Sequence, residues 1–160
     1  MSRELSDVTI RKAVIGDIRP IHRLLNHFGD QGILLPRSLS NLYEHLRDFF
    51  VVSEAAQDSE ILGACALAVC WEDLAEIRSL ALVESRHREG LGSMLVKTSL
   101  EEAASLGIRK VFALTYEVDF FAKAGFSQVE RSVLPHKIWA DCIKCPKFPD
   151  CDEEALVIEL

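Results

Sequence analysis

The segment from residue 75 to residue 93 constrains the fold more than any other part of this sequence. An apolar, strand-like run over residues 75–83 leads through a polar loop to Gly90 and Gly92, which open an amphipathic helix. Glycines at this point let an anion reach backbone N–H groups at the positive end of a helix. The segment therefore predicts a strand–loop–helix unit with an anion site. A tight turn without a ligand stays the alternative, because G-x-G alone is a weak signal.

Short strand-like runs alternate with helical patterns along the rest of the chain. Further strands are predicted over residues 8–14, 49–55, 61–71, 110–115, 126–134 and 155–160, with a polar turn over 57–60. Helices are predicted from Gly16 to Phe28, from an N-cap at Ser38 or Ser40, from Gly90 to Gly107, and over 118–124 and 136–143. This order of elements is typical of an α/β or α+β fold built on one sheet.

The composition excludes several classes of protein. The chain has 160 residues, of which 49% are hydrophobic and 27% charged, so we expect one globular domain over residues 1–160. Its formal net charge is -7 and it has no basic run, which argues against nucleic-acid binding. The longest apolar run, residues 61–71, is too short to cross a membrane. Residues 1–7 contain no signal peptide, so a cytoplasmic protein is expected.

The C-terminal part of the chain contains a cluster of metal-ligand residue types. The four side chains are His136, Cys142, Cys145 and Cys151. C-x2-C is half of a common structural zinc site, but a second half is missing. Zinc, reduced thiols and a Cys145–Cys151 disulfide therefore all stay open.

Two motifs resemble those of a known family. The run His87-Arg88-Glu89-Gly90-Leu91-Gly92 matches the loop Q/R-x-x-G-x-G/A except at His87, and residues 120–126 match F-Y-x-K-x-G-F except at Phe121. In this order and spacing they resemble the GNAT family of acetyl-CoA-dependent N-acetyltransferases. The resemblance implies a mixed, mostly antiparallel sheet of about seven strands with helices on both faces. It also implies acetyl-CoA as co-substrate and no metal requirement for the chemistry.

The resemblance assigns the acetyl-CoA contacts to three stretches of this sequence. The end of the strand over 75–83 would bind the pantetheine arm through its backbone, the glycine loop would bind the pyrophosphate, and residues after the next strand would complete the site. The implied residues are Leu80, Ala81, Leu82, His87, Arg88, Glu89, Gly90, Leu91, Gly92, Ser93, Thr115 and Phe121.

Within this family the chain is most similar to the short, stand-alone N-acetylglutamate synthases. This similarity is found in four segments of the sequence, residues 32–37, 71–80, 112–115 and 134–139. The implied reaction transfers the acetyl group to the α-amino group of L-glutamate, the first step of arginine biosynthesis, and a homodimer is common in the family. Glutamine, another small amine or a protein amine stays an alternative acceptor. A non-catalytic acetyl-CoA sensor is the alternative from another class.

The catalytic groups are predicted from chemistry and from this similarity together. An α-ammonium must lose a proton before it attacks, and Glu76 on an otherwise apolar strand is the candidate base. An ion pair of Glu76 with Arg78 is the alternative, because residues i and i+2 share one face of a strand. Phe121 stands where the family has its tyrosine acid, so Tyr116 or water must protonate the leaving thiolate.

The acceptor's carboxylates require cations in a chain this acidic. Arg37, Arg78 and Lys137 are the candidate acceptor-binding residues, since arginine suits bidentate carboxylate binding, and an exposed surface charge is the alternative for each. Cys65 and Cys70 are expected to be buried small hydrophobes without a histidine partner. Direct attack in a ternary complex is therefore favoured over an acyl-enzyme.

Overall fold

A computed structural model describes residues 8–30, 37–54, 57–86, 90–135 and 153–160. Its strands are β1 (Val8–Lys12), β2 (Phe49–Glu54), β3 (Gln57–Trp71), β4 (Leu74–Leu82), β5 (Lys110–Thr115), β6 (Ser127–Val129) and β7 (Glu154–Glu159). Its α-helices are α1 (Ile18–Asp30), α2 (Leu39–Glu44), α3 (Leu91–Ser105) and α4 (Val118–Lys123). Short 3-10 turns cover Ile15–Asp17, Leu46–Asp48, Glu84–Arg86 and Arg131–Val133. In this described part of the chain, no helix is long and apolar enough to span a membrane.

The strands form one sheet in the order β1-β2-β3-β4-β5-β7-β6. Every neighbouring pair is antiparallel except β4 and β5, which run parallel. The parallel pair is joined by α3, as a parallel connection requires a crossover. The predicted mixed, mostly antiparallel sheet of about seven strands is confirmed.

Helices cover both faces of the sheet, because successive residues of a strand point to opposite sides. Leu91, Leu95 and Val96 of α3 pack with Ile77 and other residues of one face. The opposite face packs against α1 and α2 in a second cluster, whose members include Ile18, Ile21, Leu25, Leu42, Phe49 and Val51. The predicted arrangement of helices on both faces is confirmed.

A buried ion pair fixes the start of α1 against the sheet. Arg11 of β1 donates two hydrogen bonds to the Asp17 carboxylate, at 2.6 and 3.0 Å. The same carboxylate accepts the backbone N–H of Val14 at 2.8 Å. Asp17 is thereby satisfied although it is only 4% exposed, as a buried charge requires. This anchor sets the direction in which α1 leaves the sheet.

Three element predictions are corrected by the structure. Residues 57–60 belong to β3, because Gln57 already pairs with Glu54 in the β2–β3 ladder. The strand predicted over 126–134 is only β6, since the backbone turns into a 3-10 helix at Arg131–Val133. Helix α1 continues to Asp30, two residues beyond Phe28, where the predicted helix ended. Ser38 is the N-cap of α2 and accepts the Asn41 N–H at 3.0 Å.

Candidate active site

The site lies where the two parallel strands separate. The β4–β5 ladder has three registered pairs and ends at Glu76 and Phe112, although both strands continue beyond it. A cavity of about 590 Å³ opens past this point. Its wall consists of Phe28, Ile77, Arg78, Ser79, Leu80, Ala81, Leu82, Gly90, Leu91, Gly92, Ser93, Leu114, Thr115, Tyr116, Glu117, Phe120, Phe121, Lys123 and Glu153.

A bulge in β4 shapes one wall of the cavity. Arg78 pairs with Ala66 and Ala81 pairs with Ala64, so Ser79 and Leu80 together face one residue of β3. Ser79 has a φ of 56°, a conformation that non-glycine residues adopt only when the surroundings impose it. From the bulge onward, the predicted cofactor-binding residues of this strand form part of the cavity wall: Leu80, Ala81 and Leu82.

The glycine loop places the N-terminus of α3 at the same cavity. Gly90 is the N-cap and has a φ of +82°, which favours glycine. A Cβ on Gly92 would come within 3.2 Å of the Phe120 ring and 3.4 Å of Leu82, so glycine permits this close packing. The first turn of α3 contains no acidic residue. Gly90, Leu91, Gly92 and Ser93 all line the cavity, as an anion site at the helix N-terminus requires.

Three of the predicted loop contacts cannot be placed. His87, Arg88 and Glu89 lie outside the described residues, as do Lys137 of the predicted acceptor set and the whole cluster His136, Cys142, Cys145 and Cys151. Among the residues that are described, no three His, Cys, Asp or Glu side chains come together as metal ligands would. The predictions for the C-terminal cluster stay open.

Glu76 and Arg78 form an ion pair beside the cavity. The Arg78 Nε donates to Glu76 Oε1 at 3.0 Å, and the Nη2 of the same guanidinium contacts this oxygen too. The Glu76 side chain is 13% exposed and the Arg78 side chain 31% exposed. Arg78 lines the cavity, and Glu76 marks the point where the β4–β5 ladder ends. The ion pair of Glu76 with Arg78, which was the alternative to a catalytic base, is therefore present. The Glu76 residue lies where β4 and β5 separate.

Arg37 reaches the same region from the segment before α2. Its Nη1 donates to Ser79 Oγ at 3.1 Å, so it contacts the cavity wall at the bulge without being part of the wall. The guanidinium lies over the ring of the buried Phe49, 5.2 Å from the centroid. Burial and then the positive charge of Arg78 lower the pKa of Arg37 to about 10. Arg37 therefore interacts electrostatically with Arg78, Asp48 and Glu76, and the two arginines of the predicted acceptor set lie in the same region.

The residues considered for protonation of the leaving thiolate and for cofactor contact lie at the end of β5 and in α4. Phe121 is 4% exposed and packs edge to face against Phe120 and Phe126, so it is a core residue that lines the cavity. Tyr116 is 41% exposed and also lines the cavity. Thr115 accepts the Glu117 N–H through Oγ1 at 2.9 Å, which leaves its own hydroxyl proton for another acceptor.

Some wall residues were missed by the sequence reasoning. Lys123 belongs to the motif over residues 120–126, so its lysine could have been assigned from that motif. Phe28 is the last member of the apolar stripe of α1, but no periodicity distinguishes a residue over a cavity from one in the core. Glu117 and Glu153 both line the cavity, although they are distant in the sequence. No local pattern predicts that two such residues line the same cavity.

Comparison with known proteins identifies the family. The model of the acetyltransferase (GNAT) family matches residues 20–126, which include the bulged strand, the glycine loop and α3. The chain belongs to the GNAT family. The GNAT resemblance of the sequence and the predicted fold class are therefore confirmed.

Several curated relatives are similar over most of this GNAT domain. An uncharacterized N-acetyltransferase of Chlorobaculum tepidum is 40% identical over 152 residues, 95% of this chain and 96% of the relative. The amino-acid acetyltransferase of Mycobacterium tuberculosis is 35% identical over 130 residues, 81% of this chain and 74% of the relative. The amino-acid acetyltransferase of Neisseria meningitidis is 34% identical, and there the chain spans only 29% of the relative's length.

Two solved structures share the fold closely. The crystal structure of the N-acetylglutamate synthase from Neisseria gonorrhoeae, complexed with coenzyme A and N-acetyl-glutamate, has a TM-score of 0.85 at 30% identity. That comparison covers 96% of this chain and 35% of the synthase. A Mycobacterium tuberculosis protein in complex with CoA has a TM-score of 0.81 at 27% identity, with 95% and 99% of the two chains covered.

Proposed function

We propose that this GNAT acetyltransferase transfers the acetyl group of acetyl-CoA to the α-amino group of L-glutamate. The observation that carries this proposal is the pair of arginines, Arg37 and Arg78, gathered at the bulge beside the cavity. The similarity to amino-acid acetyltransferases and to an N-acetylglutamate synthase supports the same acceptor. The proposed place of this reaction is the entry step of arginine biosynthesis in the cytoplasm.

Acetyl-CoA is the co-substrate of the GNAT family, and the cavity has the features that its binding needs. Gly90 and Gly92 leave the N-terminus of α3 open to a pyrophosphate, and an added Cβ at Gly92 would crowd the Phe120 ring. The backbone of residues 80–82 lines the cavity past the last pair of the β4–β5 ladder, where an amide-containing arm would bind it. When bound, acetyl-CoA supplies an activated thioester from which the acetyl group is transferred.

The acceptor would lie at the end of the cavity next to β4. Arg78 lines the cavity, and Arg37 is held against Ser79 of the same wall. Burial is the largest cause of the lowered pKa of Arg37, and repulsion by the Arg78 guanidinium lowers this pKa further. A carboxylate between the two guanidiniums removes that repulsion and gains charge-assisted hydrogen bonds. The site therefore favours an acceptor that carries carboxylates, of which L-glutamate has two.

Glu76 would take the proton that the α-ammonium must lose. Its carboxylate lies at the end of the β4–β5 ladder, and one oxygen accepts from Arg78. The Arg78 interaction orients the carboxylate, which can receive the proton directly or through a water molecule. The amine would then attack directly in a ternary complex. Cys65 is buried and its pKa is raised to about 12, so its thiol is unsuited to an acyl-enzyme route.

The leaving thiolate would be protonated from Tyr116 or from water. Phe121 has no proton to give and is packed between Phe120 and Phe126. Tyr116 lines the cavity and is partly exposed, so it is the tyrosine proposed to donate the proton. The Tyr116→Phe variant tests this role through a lower kcat.

The acceptor is tested by CoA release from acetyl-CoA with each amino acid in turn. The proposed function requires selective turnover with glutamate. The Arg78→Gln variant should raise the KM for glutamate by about 10-fold while leaving the KM for acetyl-CoA unchanged, because a charge-assisted hydrogen bond is lost. The exposed Arg23 of α1 provides the control variant Arg23→Gln, which should behave as wild type.

Two other results would contradict the proposal in different ways. Turnover with glutamine, another small amine or a peptide amine, but not with glutamate, would keep the acetyl transfer and reject the acceptor. Binding of acetyl-CoA without turnover of any amine would indicate a sensor. The phenylalanine at position 121, where the family motif has a tyrosine, would then explain the inactivity.

A further inference from the structure

The guanidinium of Arg37 is held from three directions by three different elements. Its Nε donates to Asn41 Oδ1 of α2 at 2.7 Å, and its Nη1 donates to Ser79 Oγ of β4 at 3.1 Å. The Phe49 ring of β2 supports the flat face of the guanidinium. Ser79 is fixed in turn by the bulge, and Phe49 is fully buried. The guanidinium is therefore confined to one plane and one orientation.

Within the described part of the chain, Arg37 Nη2 makes no hydrogen bond, whereas Nε and Nη1 both do. Burial and then the positive charge of Arg78 lower the pKa of Arg37 to about 10, although the negative charges of Asp48 and Glu76 oppose this shift. The positive charge of Arg37 is therefore not fully compensated by its neighbours. A guanidinium that keeps one edge unused while two contacts fix it is preorganised for an anionic partner.

We propose that Asn41 is a positioning residue that orients Arg37 toward a carboxylate of the acceptor, and so helps to select carboxylate-bearing amino acids. This inference rests on the proposed function only in that the acceptor carries a carboxylate. Asn41 accepts the proton of Nε, the guanidinium nitrogen next to the aliphatic part of the side chain, and so restrains rotation of the guanidinium. Without that acceptor, Arg37 keeps its charge but loses one of the three contacts that fix its direction.

The local structure allows this role to be separated from folding. Asn41 lies inside α2, and its backbone N–H is bonded to the Ser38 hydroxyl, an interaction that any residue at this position makes. Alanine is a better helix former than asparagine, so Asn41→Ala should not weaken the helix. Ser40 lies next to it in α2 and is exposed, so Ser40→Ala is a matched control.

The test measures the binding of L-glutamate to the protein saturated with CoA, by calorimetry, and initial rates with acetyl-CoA. Asn41→Ala should weaken glutamate binding about 10-fold, because the cost of orienting Arg37 is then subtracted from the binding free energy. The KM for glutamate should rise by the same factor, with kcat and the KM for acetyl-CoA unchanged. Ser40→Ala should match wild type in all four quantities.

A double-mutant cycle separates positioning from a structural role. Arg37→Gln and the double variant Arg37→Gln with Asn41→Ala should bind glutamate equally, within about 2-fold, because Asn41 acts only through Arg37. Arg37→Lys gives the same cycle with the positive charge kept. Additive losses in the cycle, or wild-type affinity in Asn41→Ala, would overturn the inference.

The outcome of the same titration distinguishes this inference from the proposed function. If wild type binds glutamine or another amino acid in place of glutamate, the acceptor is wrong, and the cycle repeated with that amino acid still tests Asn41. If wild type binds no carboxylate-bearing amine, both the acceptor and the role of Asn41 are refuted.

Discussion

Replacing Glu76 with glutamine tests the mechanism most directly, because the two side chains have the same shape. Glutamine keeps an oxygen that can accept from Arg78 Nε, which lies 3.0 Å from Glu76 Oε1. Only the negative charge and the basic lone pairs are lost. The variant therefore separates a carboxylate that removes a proton from one that only pairs with Arg78.

The two roles predict effects of different size. A general base contributes at least about 100-fold to the rate, which corresponds to about 2.7 kcal/mol of activation free energy. A partly exposed ion pair contributes at most about 1 kcal/mol, or about 5-fold in affinity. With side-chain exposures of 13% for Glu76 and 31% for Arg78, the pair belongs to this partly exposed class. The first effect lowers kcat, whereas the second raises the KM for glutamate.

The assay is the initial rate of CoA release between pH 6 and pH 9, at saturating acetyl-CoA and varied glutamate. We expect Glu76→Gln to lower kcat at least 100-fold and to leave the affinity for acetyl-CoA within 2-fold of wild type. Glu72→Gln, an exposed change in the turn before β4, should leave both quantities unchanged. A Glu76→Gln enzyme that keeps more than about a tenth of the wild-type kcat would refute the base role and leave Glu76 as the partner of Arg78.

Three further predictions concern packing and pH. Gly63→Ala would place a Cβ 2.4 Å from Leu82 and 2.9 Å from the Ala81 carbonyl oxygen, so it should lower the free energy of unfolding by about 1–3 kcal/mol in a denaturant titration. Gly92→Ala, with its Cβ 3.2 Å from the Phe120 ring, should raise the KM for acetyl-CoA more than the KM for glutamate; equal changes in both would argue against the loop as the cofactor site. Burial raises the pKa of Cys65 from 9.0 to about 12. The unfolded chain therefore loses this proton first, and wild type should lose up to about 1.4 kcal/mol of stability per pH unit above pH 9, relative to Cys65→Ala. Identical pH dependence in the two proteins would contradict this reasoning.

The strand, glycine loop and helix that line the cavity could be predicted from the sequence because they form a continuous stretch of backbone. Gly90 and Gly92 are two residues apart, and the helix that they open follows at once. Strand and helix periods over this stretch are local properties, so they identify the elements without tertiary information. The same locality explains why β5 has its predicted bounds, Lys110–Thr115.

The charged side chains beside the cavity depend on contacts between distant residues, and only the tertiary structure decides them. Arg37 and Ser79 are 42 positions apart, and their hydrogen bond forms where β4 bulges opposite β3. No local pattern predicts the bulge, since its position is set by the register with a neighbouring strand. The pairing with β2 likewise shows that β3 begins at Gln57, in a polar segment that was predicted to be a turn. The sequence by itself thus determined the family, the sheet and the glycine loop before α3. The placement of Arg78 in the cavity wall, with Glu76 and Arg37 beside it, required the fold, because long-range register is a property of the whole sheet.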